Sequence, residues 1–268
     1  MKIIDAHIHT SFYKKDLQAI SKANGIDFSL KGLQDEMKKN NISHVFSITD
    51  SFKDDSPMGM KYLTEQMQKE KRIIGIGGIN PARLSPTAIK NLRKSLSQGL
   101  LRGFKIYLGY FWKYPFDKVY NKVYDLAQEY DCPVIFHTGD TLSSAVSKPL
   151  LKYARPLNLD EVAVARPKLK IVIAHAGYPW VMDAAEVAYK NKNVYVDISG
   201  WAFGTVFDPN NKRRIRELVD YLGPDKILYG SDWPLVKMKK YIGFFRKAIP
   251  KKYHQKIFYE NAKKLFKL

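Results

Sequence analysis

Short apolar runs rich in β-branched residues alternate eight times with longer stretches of helical period along this chain. The runs are residues 3–9, 44–49, 73–79, 101–108, 134–137, 171–175, 194–199 and 227–231. The segments between them read as helices, among them residues 32–41, 87–99, 118–131, 183–192 and 210–223, the second ending at a Gly99 stop. Strand and helix in strict alternation imply parallel strands joined by crossover helices. At 268 residues the chain has the length to close eight such units into one α/β domain, residues 1–268. The expected fold is a (β/α)8 TIM barrel, an architecture that takes about 250 residues.

That fold says where chemistry belongs, because active sites of such barrels lie at the C-terminal ends of the strands. The first run ends on His7 and His9, the fourth holds Lys105, the fifth ends at His137, the sixth at His175 and the eighth at Asp232. Four of the six histidines stand at these ends, and chance placement explains that poorly. In the first run, strand period puts Ile4, Ala6 and Ile8 on one side and Asp5, His7 and His9 on the other. Counting back by twos pairs Ile135 with His137, Ile173 with His175 and Gly230 with Asp232 on inward faces. Imidazoles two apart on a strand can reach a single ion, so the set predicts a metal centre. His44 and His254 fall outside the pattern and read as surface or structural, and Asp5 as a buried carboxylate supporting the site.

A net charge of +19 points to anionic partners. The lysines are scattered in pairs, such as Lys38-Lys39, Lys239-Lys240, Lys251-Lys252 and Lys263-Lys264, with no basic block, so a solvated surface and a small anionic substrate are expected rather than nucleic acid. No apolar run approaches a membrane span. With no signal-peptide pattern at the start and the lone Cys132 unable to form an internal disulfide, a cytoplasmic enzyme is expected, and a homo-oligomer is compatible.

Together "DAHIHT", "GFKIY", "VIFHTG", "IVIAHAG", "YVDISG", "YGSDWP" and "FYENAKKLF" resemble the amidohydrolase superfamily, over the whole chain. The HxH, GSDWP and NAxxLF elements resemble the amidohydrolase-related group that includes aminocarboxymuconate-semialdehyde decarboxylase. The resemblance implies that His7, His9, His137 and Asp232 bind one divalent metal, most often Zn2+, whose bound water has its pKa lowered toward about 7. It also implies that Asp232 takes the proton from that water, while His175 polarises the substrate, delivers a proton or holds a second metal. Lys105 is then either a carbamylated bridge between two metals or, as expected here, a free lysine near the substrate. Lys105, Tyr107, Trp112 and Asp197 are the expected substrate contacts, with Asp197 equally readable as a structural acceptor. The loops after the strands should set specificity: the aromatic "YLGYFWKYPF" could wall a pocket, and Lys148 and Arg155 could meet an anion.

The expected activity is therefore a metal-dependent hydrolase acting on an amide, lactone or related bond. The alternative is a metal-dependent decarboxylase or hydratase (lyase) acting on an unsaturated or aromatic carboxylate. A TatD-like nuclease fits less well, since that group has a glutamate where this chain has Lys105. A non-catalytic binding protein would not require the full set of ligands together with His175.

Overall fold

A computed structural model describes residues 1–49, 60–142, 148–201 and 208–268 of the chain. Eight parallel strands follow one another around a single sheet in chain order. They are β1 (Ile3–His9), β2 (Ile42–Ile48), β3 (Ile73–Ile79), β4 (Leu101–Ile106), β5 (Val134–Phe136), β6 (Ile171–Ile173), β7 (Val194–Asp197) and β8 (Ile227–Leu228). The last strand meets the first through backbone hydrogen bonds from Ala6 N to Tyr229 O (2.9 Å), Asp232 N to His7 O (2.8 Å) and His9 N to Trp233 O (2.8 Å). The expected (β/α)8 barrel is what forms. Among the described residues, no helix is long and apolar enough to cross a membrane.

The connecting helices are α1 (Lys15–Ala23), α2 (Leu30–Lys39), α3 (Met60–Lys69), α4 (Pro86–Ser97), α5 (Asn121–Glu129), α6 (Asn158–Ala165), α7 (Val181–Lys190), α8 (Pro209–Leu222), α9 (Met238–Ala248) and α10 (Asn261–Leu265). Local chemistry sets their ends. In α4 the Ser85 hydroxyl accepts from Ala88 N at 3.2 Å and Pro86 takes the first turn, while Gly99 adopts a φ of +70° just beyond the end.

Two apolar layers result. One lies between strands and helices and contains Val45, Phe104, Phe136, Ile173 and Val196 with the inward faces of the helices. The other fills the barrel with Ile4, Ala6, Phe46, Ile48, Ile76, Tyr107, Ile135, Val172, Ala174 and Leu228. Ala262, Leu265 and Phe266 join this inner group, with the Phe46 and Phe266 rings 3.9 Å apart between centroids. The C-terminal helix thus stoppers the barrel floor.

Two sequence expectations about facing are corrected here. Ile8 does not share a side with Ile4 and Ala6: it packs in the outer layer while they line the interior. The cause is a register shift between Asp5 and Ile8, where β1 spends one more residue than β2 and reverses its phase. Likewise Ile173 faces the helices, and Val172 and Ala174 face inward. His175 therefore does not owe its position to strand period. It lies beyond β6, and positive φ at His175 (+60°) and Ala176 (+46°) turns the chain there.

Candidate metal centre

The β1 bulge and the β8 end together assemble the first cluster. His7, His9 and Asp232 offer ligand atoms that all lie within 4.8 Å of one another. His9 Nε2 is 3.2 Å and His7 Nε2 3.7 Å from Asp232 Oδ1. Asp232 adopts a φ of +59°, a second strand end turned by left-handed backbone. Gly200, also left-handed at +51°, has to lack a side chain, since a Cβ there would sit 2.3 Å from Asp232 Oδ2 and 2.8 Å from His175 Nδ1.

His137 is not in that triad; it stands with His175, His137 Nδ1 lying 3.1 Å from His175 Nε2. The ring protons can be placed from their partners. The Asp140 carbonyl, an acceptor only, lies 3.0 Å from His137 Nε2, so that nitrogen carries the proton. The Ser199 carbonyl, 3.1 Å from His175 Nδ1, places the proton there. Asp197 Oδ2, 2.9 Å from His7 Nδ1, does the same for His7. Each ring then turns a lone pair to the barrel centre, and neutral His137 and His175 set two lone pairs face to face. Asp232 Oδ1 is buried with no hydrogen-bond partner. Opposed lone pairs beside an orphaned carboxylate oxygen are unfavourable unless a cation or proton lies among them, so the residues fit a divalent metal.

Electrostatics agree with that fit. Burial, reinforced by neighbouring positive charge, lowers the pKa of His7, of His137 and of His175, the last to about 4, so these rings are neutral at neutral pH. Burial alone would raise Asp232, but its polar neighbours, the His9 ring 3.2 Å away first among them, hold it below the usual carboxylate range. Burial pushes Lys105 down to about 8, against the pull of Asp197 and Asp232, and sends Asp5 up to about 7 despite hydrogen bonds from Ser231. Asp5 is fully buried, its Oδ1 accepting from Ser231 N at 2.9 Å.

The expected substrate contacts divide. Lys105 is buried inside the barrel with Nζ 3.3 Å from His7 Nε2. Tyr107 is also interior, its hydroxyl donating to the Thr49 carbonyl at 2.9 Å. Trp112 is 55% exposed and donates to the Lys148 carbonyl, which places it on the outside of its loop. Asp197 is 1% exposed, and both its oxygens accept hydrogen bonds from protein groups. Arg155 pairs with Asp183 at 2.9 Å and lies over the Trp180 ring. Tyr110 is the loop aromatic that reaches the site, 4.9 Å from the His137 ring and held by Leu142 N at 2.9 Å. Parts of the loops after β5 and β7, residues 143–147 and 202–207, lie outside the described residues.

Ser199 was missed from sequence: its buried Oγ is 2.9 Å from His7 Nδ1 and 3.1 Å from His175 Nδ1, and it donates to Asp197 Oδ1. The available signal was its position two residues after Asp197, on the same face of the chain.

A parallel barrel whose strand ends gather imidazoles and a carboxylate around a buried centre defines a metal-dependent barrel enzyme. The amidohydrolase family model matches residues 4–268, and the chain belongs to the amidohydrolase family. No curated protein sequence matches it. Among solved structures, it is similar to an uncharacterized TIM-barrel protein from Bordetella bronchiseptica at 20% identity and a TM-score of 0.77, over 100% of this chain and 99% of that one. It is also similar to an amidohydrolase from Burkholderia multivorans with bound zinc, at 17% identity and a TM-score of 0.71, over 100% of both chains. A third is a dihydroxybenzoic acid decarboxylase from Polaromonas with bound manganese and 2-nitroresorcinol, at 18% identity and a TM-score of 0.71, over 100% of this chain and 97% of that one.

Proposed function

We propose that this protein uses one divalent metal, zinc in the first instance, held by His7, His9, His137 and Asp232, to hydrolyse an amide, lactone or related bond of a small anionic substrate. The observation that carries the proposal is the buried Asp232 Oδ1, without a hydrogen-bond partner, 3.7 Å from the His7 Nε2 lone pair and 3.2 Å from His9 Nε2. Nitrogen and oxygen donors of this kind suit zinc and also manganese, the ions named with the Burkholderia and Polaromonas structures. A metal so held supplies a Lewis acid and acidifies water.

The chain's own groups do the remaining work. Asp232, kept ionised, is the acceptor for the proton lost by the attacking water. His175, with Nδ1–H committed to the Ser199 carbonyl, keeps Nε2 for a proton exchanged with the substrate. Lys105 contributes positive charge from below, and Tyr110 forms a wall beside His137.

Decarboxylation of an aromatic or unsaturated carboxylate is the second, equally supported reading, favoured by the several decarboxylases among the structural neighbours and by the cationic Lys105 at the base of the site. The test is a panel of lactones, amides and aromatic carboxylates, each followed for both hydrolysis and carbon dioxide release. Turnover of at least one class is expected, abolished by chelation and restored by zinc or manganese. Carbon dioxide release without hydrolysis selects the second reading, and turnover indifferent to chelation defeats both.

A further inference from the structure

Asp197 lies at the end of β7, and the four groups that bond to it come from three different parts of the site. Its Oδ2 is 2.9 Å from His7 Nδ1. Its Oδ1 accepts from the backbone N–H of His175 at 3.1 Å, from Ser199 N at 2.9 Å and from the Ser199 hydroxyl. An ionised carboxylate accepts and never donates, so each of these groups must present a proton to it. For His7 that leaves Nε2 as the nitrogen facing His9 and Asp232. For His175 the bond ties down the N–H of a non-glycine residue in left-handed backbone, a conformation that persists only where the surroundings impose it.

We propose that Asp197 is a positioning residue serving two functional histidines at once: Oδ2 selects the His7 tautomer that can ligate a metal, and Oδ1 pins the turn that swings His175 inward. Ser199 completes the link, because its hydroxyl donates to Asp197 and offers its lone pairs to the Nδ1 protons of both rings. This rests on the metal reading above for its consequence, but the tautomer itself is a property of the metal-free chain.

The test is long-range nitrogen–proton NMR on the metal-free protein with labelled histidine. Wild-type His7 is expected to carry its proton on Nδ1. In Asp197→Asn the amide oxygen keeps the two backbone N–H groups, and the amide nitrogen now faces His7 and donates. The His7 proton should therefore move to Nε2, and affinity for zinc should fall about 10- to 100-fold, the range for loss of a partner that orients a ligand. Asp197→Ala removes both anchors and should also speed amide exchange at His175. A wild-type His7 protonated at Nε2 overturns the inference whether or not the variants fold, as does an Asp197→Asn protein with an unmoved proton and unchanged affinity. Zinc binding that is absent from wild-type protein with the Nδ1 tautomer overturns the metal reading instead.

Discussion

Replacing His175 with asparagine is expected to slow turnover by about two to four orders of magnitude while leaving the metal in place, the loss typical of a removed general acid or base. Asparagine is the informative substitution because it tolerates the left-handed backbone that His175 adopts at a φ of +60°. Its amide N–H can also still reach the Ser199 carbonyl. What it lacks is a second nitrogen where Nε2 stands 3.1 Å from His137. Kinetics and elemental analysis on the same preparation check this. If metal content falls in step with activity, His175 is a ligand and the proton-transfer role is lost.

The double substitution His7→Ala with His9→Ala should have the larger effect, removing both metal and turnover. These rings supply two of the three ligand atoms in the cluster they form with Asp232, and the bulge in β1 gives no other donor their position. Metal per chain should fall close to zero, and adding chelator should change nothing further. Full occupancy in the variant would place the ligands elsewhere.

The fold, and which side chains its strand ends bring together, were legible in sequence because both rest on local signals. Eight apolar runs alternating with helical stretches specify parallel strands and crossovers, and a barrel puts its strand ends at one mouth. His7, His9, His137, His175 and Asp232 stood at those ends and do gather there. Facing was less legible. Period-two counting failed on Ile8 because an extra residue in β1 is set by pairing with β2, a long-range fact. It failed on Ile173 because β6 ends early and left-handed backbone, not pleat, turns His175. Asp197 looked equally able to meet substrate or structure because its partners, His7 and the His175 backbone, are 190 and 22 residues away in sequence. Trp112 looked like a pocket wall because an aromatic loop does not reveal which ring turns inward; Tyr110 does, and Trp112 lies outside.

Lys105 bears directly on how many ions the centre holds. A carbamate on Lys105 would bring a negative charge into the barrel that only two cations would stabilise, so carbamylation and a binuclear site stand or fall together. In the proposed reading His7, His9, His137 and Asp232 hold one ion, leaving His175 and an unmodified Lys105 to other tasks. The decisive measurement is the titration of metal-free wild-type protein with zinc at neutral pH in the presence of bicarbonate, read by elemental analysis and intact mass. One ion per chain with an unmodified Lys105 is the predicted result; no bound ion, or two ions with a carboxylated Lys105, would contradict it.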